Sequence, residues 1–107
     1  MFLAQFNKAL SEPTRLRILA LILEYKQVCV CDLVSVLEMP QGSISRHLSY
    51  LKKSGVVESH TRGTWRVYQI NTELDDSYQT IINQTLLVLT HDLQVQQDIS
   101  TFNPSNC

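Results

Sequence analysis

The sequence predicts a mainly α-helical domain with a β-hairpin wing: a winged helix-turn-helix of about five helices and two strands. Three observations predict it. Apolar residues recur at helical spacing through residues 1–54. A short helix halted at Met39-Pro40 is followed at once by another whose outer side carries compact polar residues, Gln41, Ser43, Ser45 and Arg46. Two β-rich segments joined through Gly63 come next, and two helices with a short turn before such a hairpin make the winged fold.

Leu3, Phe6 and Leu10 form a short amphipathic first helix. Ser11-Glu12-Pro13 supplies a cap, an acid and a first-turn proline for a second. That helix runs to about Lys26, with Leu16, Leu19 and Leu23 on one stripe and Ile18 and Ile22 beside it. A third starts near Cys29 to Cys31, buries Leu33, Val34 and Leu37, and ends near Glu38, since proline disfavours helical backbone in the residue before it. The fourth, about Gln41 to Ser54, places Ile44, Leu48 and Leu51 on one core-facing side, and Gly55 stops it. Val56 to His60 and Trp65 to Ile70 are strands, with Trp65 and Tyr68 expected to pack and hold the wing. Leu74, Tyr78, Ile81, Ile82, Leu86, Leu89 and Leu93 support one long last helix. Its stretch Leu86-Leu87-Val88-Leu89 is apolar all round, which predicts one face turned inward and one against a second subunit. Residues 1–97 are thus expected to form a DNA-binding and dimerisation domain, and 98–107 a flexible tail.

A length of 107 residues suits one domain and not two. No apolar run reaches the ~18 residues of a membrane span, and the polar-interrupted start Met1-Phe2-Leu3-Ala4-Gln5 makes no signal peptide. The expectation is a cytoplasmic protein with no membrane partner, whose three cysteines stay reduced and bind metals or do redox chemistry. Net charge is −1, which alone argues against nucleic acid. Its distribution reverses that: all nine Lys and Arg lie in residues 1–70 against five acids, a net +4, while residues 71–107 hold five acids and no Lys or Arg, a net −5. One surface is suited to a polyanion and another is turned away from it.

The expected partner is double-stranded operator DNA. The first residues of a recognition helix reach base edges in the major groove. Here these are Gln41, Ser43, Ser45 and Arg46, with Ser49, Tyr50 and Lys53 on the same outer side and His47 nearer the core boundary. Arg62 and Arg66 flank the hairpin turn and are expected at the backbone or the adjacent minor groove.

The other chemistry lies in Val28-Cys29-Val30-Cys31-Asp32-Leu33. A Cys-x-Cys pair lacks the spacing of a thioredoxin-like couple, and three cysteines with three histidines supply a four-ligand zinc site poorly. Unpaired N–H groups at a helix start stabilise thiolate, so a lowered thiol pKa is expected; thiolates bind soft ions. Residues two apart in a regular helix point about 200° apart, so gripping one centre requires an unwound first turn. Binding is then expected to distort that turn and move the helix-turn-helix off its DNA geometry. Three classes stay open: a thiol-sensing regulator, a ligand-blind DNA-binding or dimerisation module with packing cysteines, and a small thiol enzyme, for which no base or cofactor loop is visible.

Four segments, Ser11-Glu12-Pro13-Thr14-Arg15-Leu16-Arg17-Ile18-Leu19, Cys29-Val30-Cys31-Asp32-Leu33, Ser43-Ile44-Ser45-Arg46-His47-Leu48 and Gly63-Thr64-Trp65-Arg66-Val67-Tyr68, resemble the ArsR/SmtB family of winged-helix repressors. The likeness covers roughly residues 3–92, and the cysteine segment resembles the arsenic-sensing branch. It implies a homodimer that represses a detoxification operon and leaves its operator when arsenite or antimonite binds Cys29 and Cys31. Another soft metal, an organoarsenical or thiol oxidation are alternative signals. The chain departs from that branch at Val34, where a third cysteine is usual, which leaves Cys107 as the chain's one candidate for the third metal ligand, with a small cytosolic thiol such as glutathione or water as the alternatives. It also lacks the N-terminal cysteines of cadmium and lead sensors and the first histidine of the zinc and nickel site, having Asp75-Asp76-Ser77 there. Pro40 replaces the usual serine cap of the recognition helix.

Overall fold

A computed structural model describes residues 1–104. The order is α1 (Phe2–Ala9), α2 (Pro13–Tyr25), β1 (Val28–Cys29), α3 (Val30–Leu37), α4 (Gln41–Lys53), β2 (Val57–Arg62), β3 (Trp65–Ile70), α5 (Asp76–Leu89) and α6 (Leu93–Thr101). This is the winged helix-turn-helix, with α3 and α4 as the paired helices and β2–β3 as the wing. Among the described residues, no helix is long and apolar enough to cross a membrane.

Helix α2 is the central post. Its cap is Glu12 rather than Ser11: the carboxylate accepts from the N–H groups of Thr14 (3.0 Å) and Arg15 (3.1 Å), while the Ser11 hydroxyl donates back to the Lys8 carbonyl. Burial on α2 spans Ile18, Leu19, Ala20, Leu21 and Ile22, a wider arc than the expected stripe, whose Leu16 and Leu23 are only half-buried. Helices pack on it from several sides, and that accounts for the difference. Phe6 from α1, Leu33 from α3, Ile44, Leu48 and Leu51 from α4, Val56 and Ile82 complete the core. Each such side chain contributes about 1.5–3 kcal/mol through burial.

The three-stranded antiparallel sheet has the order β1-β3-β2. Arg62 faces Trp65 across a two-residue turn, and Gly63 takes φ +63° at its first position, a conformation in which a side chain is strained. Gly55, after α4, has φ +82°, and a Cβ there would lie 2.7 Å from the Phe2 ring. The strand β1 was not expected. Two residues carry no readable periodicity, yet Val28 pairs with Tyr68 and Cys29 with Val67.

The expected single last helix is two. Helix α5, capped by Asp75 through the Ser77 and Tyr78 N–H groups, ends at Leu89; α6 restarts with Asp92 accepting from the Val95 N–H at 3.0 Å. The Thr90-His91-Asp92 corner rotates Leu93 off the predicted stripe and leaves it 79% exposed. The tail boundary expected at residue 97 falls inside α6. Asp98 is buried and takes a two-pronged ion pair from Arg17 (2.8 and 2.9 Å), the Tyr25 hydroxyl donates to the Ile99 carbonyl (2.7 Å), and Phe102 lies against the Tyr25 ring. Residues 98–102 are therefore docked on α2.

Candidate metal centre and nucleic-acid interface

Cys29 is at once the last residue of β1 and the N-cap of α3, with extended backbone at φ −112° and ψ 164°. Cys31 lies in the first helical turn. Because the chain is extended at Cys29, the 200° divergence of a regular helix does not arise, and the two sulfurs lie 3.8 Å apart. The unwound turn expected only on binding is already built. A tetrahedral centre with metal–sulfur bonds of about 2.3 Å separates its sulfurs by roughly 3.8 Å, and a narrower pyramidal angle brings them a few tenths of an ångström closer. Cys31 is disulfide-bonded here, against the expectation that the cysteines stay reduced, and the spacing of the pair matches that around one soft ion once this bond is reduced.

Sequence reasoning passed over the third member. Asp32, 5% exposed, accepts from Cys29 Sγ through Oδ2 at 3.1 Å, and the ligand atoms of Cys29, Cys31 and Asp32 all lie within 4.8 Å of one another. Its position beside the second cysteine was the available signal. The expectation of a lowered thiol pKa fails at Cys29: burial first, then the Asp32 carboxylate, push it above the ordinary thiol value, outweighing the backbone N–H groups. Cys107, the remaining thiol, lies outside the described residues.

On the recognition helix α4, Gln41, Arg46, Ser49 and Lys53 are exposed and Ser43 and Ser45 partly so, with the Arg46 guanidinium donating to Ser43 Oγ at 3.2 Å. Lys52 and Lys53 close its last turn. His47 and Tyr50 instead face α2. His47 Nδ1 lies 3.4 Å from Glu12 Oε2 and 3.5 Å from Arg15 Nη1, and Arg15 stacks over the Tyr50 ring at 4.3 Å. Arg15 also donates to the Ala9 carbonyl at 2.8 Å, so one guanidinium fastens the end of α1 and the start of α2 to the recognition helix. Burial tends to raise the Glu12 pKa, but the Thr14 and Arg15 N–H groups with the His47 and Arg15 charges carry it below the usual carboxylate range.

On the wing, Arg66 donates to Ser59 Oγ at 2.9 Å and Arg62 to Gln27 Oε1 at 2.8 Å. Trp65 was expected to pack. It is half-exposed and borders a cavity beside Cys29, while Tyr68 is buried as expected.

A polar-faced recognition helix, a basic wing and a short helix holding the first at a fixed angle define a winged helix-turn-helix DNA-binding regulator. Residues 12–59 match the family described as bacterial regulatory protein, arsR family. An HTH-type transcriptional regulator of Methanocaldococcus jannaschii is 44% identical over 79 residues, covering 74% of this chain and 85% of that protein. The arsenical resistance operon repressor of Escherichia coli K12 is 36% identical over 80 residues, 75% of this chain and 68% of the repressor. Among solved structures, HlyU from Vibrio cholerae N16961 superposes with a TM-score of 0.72 at 24% identity, covering 83% of this chain and 92% of HlyU, a likeness of fold. The chain belongs to the ArsR family of transcriptional regulators and is not an enzyme.

Proposed function

We propose that this protein is a cytoplasmic repressor that binds operator DNA as a homodimer and releases it when arsenite condenses with Cys29 and Cys31. The observation that carries the reading is the placement of the thiol pair. Cys29 is bonded into the wing sheet opposite Val67, and Cys31 sits in α3, the helix that precedes the recognition helix. An ion held between the two sulfurs bridges the wing sheet and the helix before the recognition helix, and so bears on both DNA-facing parts at once. The relative named as an arsenical resistance operon repressor supports arsenite as the signal.

The chemistry of Cys29 favours arsenite over divalent cations. Arsenous acid is neutral at physiological pH, and each arsenic–sulfur bond forms as a thiol proton leaves with an arsenic hydroxyl as water. A raised thiol pKa costs that exchange nothing. A divalent cation must instead expel the proton to solvent, at about 1.4 kcal/mol for each unit by which the pKa exceeds the pH.

On DNA, Gln41, Ser43, Ser45 and Arg46 read base edges; Ser49, Lys53, Arg62 and Arg66 contact the backbone; His47 and Tyr50 fix the angle of α4 through Glu12 and Arg15. Two recognition helices related by a dyad require an inverted repeat with half-sites about one helical turn, or a multiple, apart. The second subunit covers the exposed apolar residues of α1 and of the α5–α6 corner.

The test is fluorescence anisotropy on DNA from the gene's own promoter. Arg46→Ala is expected to weaken binding about tenfold or more. Arsenite is expected to release the wild-type protein, whereas Cys29→Ser and Cys31→Ser bind DNA but do not let go. Reversing a 99:1 preference takes about 5.5 kcal/mol of differential binding, well within the roughly 10–16 kcal/mol of structural zinc–thiolate sites. Normal release of both serine variants would sink the sensing reading.

A further inference from the structure

A cavity of about 360 Å³ opens between the end of α2, β1 and the tip of the wing. That volume lies in the range of roughly 300–1,000 Å³ found for small-molecule sites. Two of its side chains come from the wing. Arg62 and Trp65 face each other across the two-residue turn, and directly opposed residues of an antiparallel pair project from the same face of the sheet. A cation and an aromatic ring therefore enter the cavity side by side. A chain of hydrogen bonds aims the guanidinium. Arg62 donates to Gln27 Oε1 at 2.8 Å, Gln27 Nε2 to Gln69 Oε1 at 3.1 Å, and Gln69 Nε2 to Glu58 Oε2 at 2.8 Å. The contact to Gln27 engages one guanidinium nitrogen of Arg62, which leaves N–H donors for a ligand. Tyr25 is a fixed wall, its ring 4.5 Å from that of Phe102 and its hydroxyl bonded to the Ile99 carbonyl at 2.7 Å. Trp65 is left 46% exposed, apolar surface that a bound ring would cover. Charge then selects the ligand. Asp32, which also borders the cavity, is buried and already accepts from the Cys29 thiol. Arg62 is exposed and, among the described residues, makes no ion pair.

We propose that this cavity is an effector site for an aromatic carboxylate, whose carboxylate pairs with Arg62 and whose ring packs on Trp65 and Tyr25. Binding is non-covalent and takes no bond from Cys31. The effector role rests on the function proposed above, in which Arg62 also contacts the DNA backbone. A guanidinium gripped by a carboxylate offers less to a DNA phosphate, and the ligand brings a negative charge towards those of the duplex. The ligand therefore weakens operator binding, and by linkage the operator weakens ligand binding by the same factor. The rival occupant is the end of the chain, since Pro104, the last described residue, also lines the cavity.

The probe is 2-naphthoate, with 2-naphthamide as its neutral match and 2-naphthylmethylamine as the cationic one. Calorimetry without DNA or arsenite measures each on wild type, Arg62→Gln, Arg62→Lys and Trp65→Val, and circular dichroism checks each fold. Wild type is expected to bind one naphthoate per chain about tenfold more tightly than the amide, with the amine weakest. That preference falls below about twofold in Arg62→Gln and returns in part in Arg62→Lys, which keeps the charge but not the two-pronged geometry. Trp65→Val weakens acid and amide alike, by about threefold to tenfold. Saturating naphthoate, at fixed ionic strength, is expected to lower the operator affinity of wild type about threefold or more and to leave that of Arg62→Gln unchanged. Absence of saturable binding, equal affinity for acid and amide, a tighter amine, or a preference that survives Arg62→Gln overturns the site. Naphthoate binding that appears only when residues 105–107 are deleted gives the cavity to the chain's own end and also overturns it. Binding with unchanged operator affinity overturns the effector role. A wild-type protein that binds no operator removes the DNA-binding reading and the effector role together, and the calorimetry still decides the site.

Discussion

The thiol of Cys29 donates to the buried carboxylate of Asp32, and this contact shapes the chemistry of the site. Burial and the adjacent negative charge both disfavour thiolate, so at neutral pH the residue is a protonated thiol. Asp32→Asn keeps the size of the side chain and removes the charge. The pH midpoint for alkylation of Cys29 by iodoacetamide, followed in a background with the other cysteines replaced by serine, is expected to move down. An unmoved or higher midpoint would mean that Asp32 does not hold the proton. The same protonated thiol sets the pH dependence of ligand binding. Below the raised thiol pKa each thiol proton displaced into solvent makes affinity rise up to tenfold per pH unit, so cadmium is expected to bind more tightly from pH 6.5 to 8. Arsenite, whose binding releases water rather than protons, is expected to vary by less than about twofold over that range. Calorimetry in two buffers of different ionisation enthalpy counts the protons released, and equal release by both ligands would refute the distinction. The cysteine pair was legible because thiols at that spacing have few uses. The direction of the thiol shift was not, because the dipole of a helix start can be inferred from sequence whereas the burial of a neighbouring carboxylate cannot.

At the scale of elements, strongly periodic segments were readable and short or interrupted ones were not. Helix α4 came out as expected because Ile44, Leu48 and Leu51 leave one solution for its inner face. The strand β1 escaped notice because its pairing depends on β3, some forty residues away. The break between α5 and α6 escaped notice because its signal is an Asp92 cap embedded in continuous helical spacing. That break matters, since it turns α6 back onto α2, where Arg17 meets Asp98. The carboxylate is almost wholly buried and the guanidinium partly exposed, with side-chain exposures of 3% and 23%. Removing the acid leaves a half-buried cation without its partner. Asp98→Ala is therefore expected to cost about 1–3 kcal/mol and to make α6 exchange amide protons faster than α2. Arg17→Met, which leaves the acid buried and uncompensated, is expected to cost at least as much. Thermal unfolding with hydrogen exchange measures both. A loss below about 0.5 kcal/mol in each would show that α6 is held by its apolar contacts, Val95 and Ile99 packed with Ala20 and Phe102 against Tyr25.

The whole molecule is polarised. The cations of α4 and the wing occupy the part that would face DNA, and the helices after residue 71 carry acids without Lys or Arg. Those same helices expose apolar side chains: Leu87 is 57% exposed, Val88 72% and Leu93 79%, with Phe2 and Leu3 of α1 each 43%. Sequence reasoning anticipated a doubly apolar end to the last helix, and it could not anticipate that the break at Thr90 would turn Leu93 outward with it. Single exposed apolar residues need no explanation, but a run of them at one corner is what a subunit interface buries. Substituting Val88→Glu distinguishes the cases. In a monomer the new carboxylate stands in water, and a surface change of this kind moves stability by no more than about 0.5 kcal/mol. In a dimer it must be desolvated against apolar neighbours, which costs several times as much. Light scattering is therefore expected to give a two-chain mass for wild type and a one-chain mass for Val88→Glu, at matched concentration and with an unchanged helical circular-dichroism spectrum. Operator affinity is expected to drop at least a hundredfold. The slope of log affinity against log salt is expected to halve, because one chain releases half the counterions that two release. A wild-type protein of one-chain mass, or a Val88→Glu dimer that binds its operator with the full salt slope, would remove the apolar corner as the dimer interface.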